Sequence, residues 1–221
     1  MVGVAASPTP IVNVDPPTLY KALLIDFDGV LRQWPATDAE LELAHGLPEG
    51  ALRTTAFERE LLNDVVTGRI PDEVWRKRVE TLLEQAYPQA RVSEAIAAWS
   101  HPAGEVDHNV LPLVQRARKH LKVVLVTNGT SRLGRDLEAL GLMSSFDVVV
   151  NSSEIGVDKP QADFYLEALR AAGVSAAEAL FVDDSASHVE AAAKIGIRSF
   201  RFTGHERLRG FLREARVLDE V

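Results

Sequence analysis

The sequence predicts an α/β fold, a doubly wound parallel sheet of Rossmann-like type interrupted after its first strand by an all-helical insertion. Three observations carry this reading. Short apolar runs at 21–26, 122–127, 147–151, 179–183 and 198–202 have the unbroken texture of strands buried on both faces. Segments of helical spacing lie between the last four runs, and three of these segments close on Gly141, Gly173 and Gly196. From about 37 to 99, helical spacing continues without a convincing strand. Strands that alternate with helices specify parallel pairing. The expected division is an arm at 1–18, an α/β core at 19–35 and 105–221, and a helical domain at 36–104.

The elements follow in order. Residues 1–18 hold four of the eleven prolines and no apolar periodicity, which predicts a flexible or loosely docked arm. The first strand ends in the acidic loop Asp26-Phe27-Asp28-Gly29-Val30-Leu31. Thr37-Asp38-Ala39-Glu40 is a capping-box pattern that opens a helix. Helical spacing over 52–66 ends at Gly68. Pro71 suits a first helical position, followed by an apolar stripe of Val74, Trp75, Val79, Leu82 and Leu83. Ser93 is placed as the cap of a short helix carrying Ile96 and Trp99. Beyond Pro102, helices are expected at 111–120, 131–140, 162–172, 187–195 and 205–218.

Composition excludes several functions. The chain lacks cysteine, so thiol catalysis, cysteine metal sites and a disulfide framework are out. A net charge of -8 argues against a nucleic-acid partner. No apolar run approaches the roughly 18 residues that span a bilayer, and the first residues lack the basic and apolar regions of a signal peptide. The expected location is therefore the cytoplasm.

In open parallel sheets, ligands bind beyond the carboxyl ends of the strands. Those ends carry Asp26 and Asp28, then Thr127-Asn128-Gly129, then Asp183 and Asp184, with Lys159-Pro160 in the loop before the fourth strand. Each feature alone has a structural explanation, as a helix cap or a turn. Together they crowd four like charges at one sheet edge, where carboxylates raise one another's pKa values. A divalent cation and Lys159 would offset that repulsion.

On these residues the chain resembles the haloacid dehalogenase-like hydrolase superfamily, in the branch with a small helical cap inserted after the first strand. DFDGVL from Asp26, VTNGT from Val126, GVDKP around Lys159 and FVDDS around Asp183 and Asp184 match the four motifs in order. The resemblance implies a phosphohydrolase with Asp26 as nucleophile and an aspartyl-phosphate intermediate. Asp28 is implied as general acid and base. Thr127 and the backbone N–H groups of Asn128 and Gly129 are implied to bind phosphoryl oxygens, and Lys159 to neutralise charge. Mg²⁺ is implied on Asp26, the backbone carbonyl of Asp28 and Asp184, with Asp183 a further ligand or an orienting group. The family's dehalogenases lack an acid two residues after the nucleophile, so Asp28 favours phosphate esters.

Other positions are read more modestly. His188 stands where many such relatives have Asn, and is read first as a helix-face residue, second as a support of the metal loop. Trp34 follows the nucleophile loop closely and is expected at the site mouth, contacting substrate. Arg32, Arg53, Arg69 and Arg132 are candidates for a charged substrate tail. The expected partner is a small phosphorylated metabolite, with the chain a monomer or homodimer. A phosphotransferase or mutase, a dehalogenase and a catalytically idle binding module are the rival readings.

Overall fold

The computed structural model describes residues 19–35 and 38–219. The expected arm at 1–18 and Thr37 of the expected capping box lie outside the described residues.

The chain opens with β1 (Ala22–Ile25) and a two-residue strand β2 (Arg32–Gln33). Helices α1 (Asp38–His45), α2 (Ala51–Ala56), α3 (Arg59–Val66), α4 (Asp72–Ala86) and α5 (Val92–Ser100) follow. After β3 (Glu105–Val106) come α6 (Leu111–Ala117), β4 (Lys122–Thr127), α7 (Leu133–Ala139), β5 (Val148–Asn151), α8 (Ser152–Ile155) and α9 (Ala162–Ala172). The chain ends with β6 (Ala179–Asp183), α10 (Ala186–Lys194), β7 (Arg198–Arg201) and α11 (His205–Glu214).

The main sheet has the order β5-β4-β1-β6-β7, and every pair in it is parallel. β1 is central, with Leu24 in register with Val124 on one side and Phe181 on the other. Its pleat sends Leu23 and Ile25 into the apolar layer under α6 and α11, and Ala22 and Leu24 into the layer under α9. Each fully buried Leu or Ile contributes on the order of 1.5–3 kcal/mol. The strand that carries the nucleophile loop is thus anchored on both faces, and Asp26 leaves it with its N–H donated to the Val182 carbonyl at 2.9 Å.

The insertion has a separate apolar core, built on Leu52, Ala56, Val65, Val79, Leu83 and Ala95. Three local expectations needed correction. The helix expected at 52–66 is two helices, broken at Phe57 and restarted by Glu58, whose carboxylate accepts from the N–H groups of Glu60 and Leu61 at 3.0 Å each. Apolar spacing runs through the break, so periodicity alone does not register it. Ser93 lies inside α5 and donates to Glu80 at 2.5 Å. Along α4 only Trp75, Val79 and Leu83 of the expected stripe are buried, while Val74 and Leu82 are exposed.

The two segments that link insertion and core pair with each other, which the sequence did not predict. β2 and β3 pair antiparallel, Arg32 opposite Val106 and Gln33 opposite Glu105. Two-residue strands carry no period to read. The insertion also touches the core directly. Thr130 Oγ1 donates to Asp72 at 2.8 Å, and the Asp72 N–H donates to Ser131 Oγ at 2.9 Å. A Cβ built on Gly68 would sit 2.0 Å from the Ser153 carbonyl oxygen, so only glycine allows that approach. Thr130 follows β4 and Ser153 follows β5, which places the insertion over the carboxyl edge of the sheet. No helix among the described residues is long and apolar enough to cross a membrane.

Candidate active site

Asp26, Thr127, Lys159 and Asp183 are all buried at the carboxyl edge of the sheet. β1 and β6 place Asp26 and Asp183 side by side, because Ile25 and Val182 are in register. Lys159 Nζ enters from the loop after α8 and donates to Asp26 Oδ1 at 2.7 Å, to Asp183 Oδ2 at 2.7 Å and to the Val126 carbonyl at 3.1 Å. The loop is held by the Asn128 side chain. Asn128 Oδ1 accepts from the Lys159 N–H at 2.8 Å, and Asn128 Nδ2 donates to the Lys159 carbonyl at 2.9 Å. The sequence placed Asn128 here for its backbone; the structure adds this clip, which no motif spacing encodes.

Among the described residues, Asp26, Asp183 and Asp184 present carboxylate oxygens within 4.8 Å of one another. Gly29 makes room for them: a Cβ there would lie 2.3 Å from Asp184 Oδ2, and its φ of +77° is itself a glycine conformation. Burial pushes the Asp26 carboxyl up to about 7, opposed by Lys159 and reinforced by Asp183. Burial and Asp183 also raise Asp184. Burial would raise Asp183 too, but His188 and Lys159 hold it below its ordinary value. For Lys159, burial works against the charge, and Asp26 with Asp183 outweigh it, so its pKa is raised. One ammonium thus faces two buried carboxylates, with a third beside them. Hard oxygen donors with excess negative charge fit Mg²⁺.

His188 is more than a helix-face residue. Its Nδ1 lies 3.0 and 3.1 Å from the two Asp183 oxygens, and its carbonyl accepts from Tyr165 Oη at 2.9 Å. The helical register of α10 after Asp183 was the available signal, since residues five apart straddle the helix start.

Asp28 takes another direction. Its carboxylate is not one of the three clustered groups. Arg32 grips it with Nε at 2.7 Å and Nη2 at 2.9 Å, and Trp34 Nε1 donates to it at 2.7 Å. Arg32 stacks on Phe27 at 4.2 Å and on Trp34 at 4.6 Å. Its Nη1 reaches Asp136 at 2.9 Å, and Asp136 in turn accepts from Arg132 Nε at 2.7 Å. Arg132 donates to the Ser100 carbonyl at 2.6 Å and to that of Pro102. Arg32 and Arg132 are therefore buried structural cations that tie both linkers to the core, a correction to their reading as substrate-tail ligands. Arg69 pairs with Asp64 at 3.5 Å on the surface.

A cavity of about 1270 Å³ opens between insertion and core. Asp28, Asn128, Gly129 and Asp158 line it from the core, Trp34 from the first linker, and Arg53, Phe57 and Trp99 from the insertion.

Comparison with known proteins points the same way. The model of the haloacid dehalogenase-like hydrolase family matches residues 20–196. The chain is 34% identical over 99 residues to haloacid dehalogenase-like hydrolase domain-containing protein 3 of Mus musculus, covering 44% of this chain and 39% of that protein. It is 29% identical over 181 residues to the glyceraldehyde 3-phosphate phosphatase of Methanopyrus kandleri, covering 75% and 76%. The chain thus spans about two fifths of the mouse protein and three quarters of the archaeal one. Among solved structures, a HAD-family enzyme of Bacteroides thetaiotaomicron in complex with magnesium and inorganic phosphate superposes with a TM-score of 0.63 at 19% identity, covering 82% of this chain and 93% of that one.

Proposed function

The chain belongs to the haloacid dehalogenase-like hydrolases, and from that membership we propose that it is a magnesium-dependent phosphomonoesterase that attacks phosphorus with Asp26. The observation that carries the proposal is the Asp26 carboxylate. It stands at the end of the central strand, one oxygen bonded to Lys159, among two further carboxylates at metal-ligand spacing. The phosphatase named in Methanopyrus and the magnesium–phosphate complex of the Bacteroides enzyme support it.

In this reading Asp26, Asp183 and Asp184 would hold Mg²⁺, with the Asp28 backbone carbonyl as a further donor; the ion would supply charge neutralisation at the phosphoryl group. Lys159 donates to Asp26 Oδ1 and so fixes the orientation of the attacking carboxylate. Thr127 and the N–H groups of Asn128 and Gly129 bind the phosphoryl oxygens. An oxygen–phosphorus bond forms as the ester bond breaks, and the departing alkoxide takes a proton from Asp28. Water then attacks the same phosphorus, gives its proton to Asp28 and frees Asp26. The helical insertion acts as a lid over this exchange, excluding stray nucleophiles and readmitting water.

Turnover of p-nitrophenyl phosphate with Mg²⁺, and its loss in excess EDTA, tests the reading. Ca²⁺ should inhibit, because the larger cation takes more oxygen ligands and draws Asp26 into bidentate coordination. Full activity in EDTA, or chloride release from a haloacid without phosphatase activity, sinks the proposal.

Asp28 must leave Arg32 and Trp34 to act as an acid. Asp28→Asn should slow an alkyl phosphate on the order of a hundredfold or more, while sparing p-nitrophenyl phosphate, whose leaving group needs little protonation. Equal losses on both esters would remove Asp28 from that role.

The raised pKa of Asp26 gives a pH signature. Its folded value of about 7 lies above the ordinary value of an aspartate, so the folded state binds the extra proton. The stability that Asp26 contributes is complete below the lower value and is lost as pH rises through the upper one. Mg²⁺ must displace that proton, so its apparent affinity falls as pH drops below about 7. A cation at a hundred times its Kd adds ~2.7 kcal/mol, or a Tm increase of roughly 5–10 °C for a chain this size. Thermal melts with 10 mM Mg²⁺ (roughly such an excess for a sub-millimolar site) should show that increase at pH 8 and much less at pH 5.5. Equal increases at both would contradict the assignment.

A further inference from the structure

The cavity is larger than the phosphate chemistry requires. Ligand pockets commonly enclose roughly 300–1,000 Å³, and about 1270 Å³ lies open here. A triose-sized ester would leave most of the apolar wall, including Leu41, Leu62 and Val66, in contact with water. Two large rings face this space while exposed: Trp34 at 47% and Phe57 at 49%. Each ring has a guanidinium stacked on it, Arg32 at 4.6 Å from the Trp34 centroid and Arg53 at 5.3 Å from that of Phe57. Trp34 is further held by its bond to Asp28. A group lying on Trp34 is therefore beside the loop that carries Asp28.

The wall as a whole does not select a second anion, since its six carboxylates outnumber its five guanidiniums, Arg53 and Arg59 included. Arg32 is matched by Asp28 and Asp136, and Arg76 by Asp72. Burial and Glu42 raise the Asp38 carboxyl, and Arg53 only partly opposes them. Discrimination falls to shape and apolar surface.

We propose, resting on the phosphatase reading, that the substrate is a phosphomonoester whose alcohol carries an aromatic ring, seated against Trp34 and Phe57. Such stacking is worth a few-fold to about tenfold per ring beyond simple burial. A small phosphorylated triose or amino acid covers little of these two rings.

The test compares kcat/KM, with Mg²⁺ present, for ethyl phosphate, 2-cyclohexylethyl phosphate and 2-phenylethyl phosphate. All three release alkoxides of similar basicity, so leaving-group chemistry cancels. The phenyl ester should exceed the ethyl ester at least about tenfold and the cyclohexyl ester roughly three- to tenfold, mainly through KM. Phe57→Leu keeps apolar area and removes one ring; it should lower the phenyl-over-cyclohexyl ratio a few-fold, leaving the share that Trp34 supplies. Phe57 is exposed at the end of α2 and touches no proposed catalytic group, so the variant is expected to fold. Equal values for phenyl and cyclohexyl, or for phenyl and ethyl, overturn the proposal, as does an unchanged ratio in Phe57→Leu. Acetyl phosphate, small and activated, separates the two levels. Its hydrolysis together with flat ester preferences rejects the ring alone, whereas no hydrolysis of it or of any of the three esters rejects the phosphatase reading and this inference with it.

Discussion

Asp26→Asn is expected to abolish turnover of every phosphate ester, by on the order of 10⁴-fold or more, as loss of a covalent nucleophile does elsewhere. The amide cannot form an acyl phosphate. Folding should survive the change. Asp26 is buried beside Asp183, and burial together with that neighbour outweighs Lys159 in disfavouring its charge. A neutral side chain of equal size relieves the repulsion, so the variant should melt at or above the wild-type temperature at pH 8 without metal. Rate and melting temperature measured on one preparation separate chemistry from folding. Retained turnover of p-nitrophenyl phosphate at even a tenth of the wild-type rate would remove Asp26 as nucleophile.

Lys159→Met is expected to fail in both respects. The ammonium is almost fully buried and is the direct ion-pair partner of Asp26 and Asp183, at 2.7 Å each. Without it two carboxylates face each other in an apolar setting and must bind a proton or a metal. Breaking a buried pair costs roughly 3–5 kcal/mol, or about 10 °C in Tm for a chain of this size. The deficit should be greatest at alkaline pH, where the carboxylates cannot stay protonated. Mg²⁺ should recover part of the stability, since a cation replaces a cation. It should not recover activity, because Asp26 Oδ1 loses the donor that orients it. Calorimetric melts at pH 6 and pH 8, with and without Mg²⁺, check this. A variant that melts with the wild type in EDTA at pH 8 would show that Lys159 does not carry the balance of this cluster.

The two cases differ in what their sequence context reveals. Asp26 was legible because a continuous apolar run, Ala22 to Ile25, had to become a buried strand, and the residue after it had to emerge at the carboxyl edge. The same logic placed Thr127, Asp183 and Asp184, with Lys159 in the loop before the fourth strand of the expected order. Backbone periodicity reports which face of an element is buried, and in a parallel sheet that also determines where its end points. The break between α2 and α3 was illegible for the same reason, since Leu52, Ala56, Leu61 and Val65 stay buried across it.

The sequence by itself therefore determined the parallel sheet, the helical insertion after its first strand and the set of charged residues at one edge. Side-chain partnership was left to the tertiary structure. Arg32 has one partner four residues away, Asp28, and another 104 residues away, Asp136. Asn128 holds a backbone segment 31 residues further on. Trp34 and Phe57 come to the same cavity only because β2 and β3 pair and the insertion settles on Thr130, Ser131 and Ser153. A long polar or aromatic side chain has many potential neighbours of comparable energy, each worth only about 1–3 kcal/mol. Which of them it meets is decided by how whole layers pack, and that packing follows from apolar surfaces that carry no record of the polar pairs they bring together.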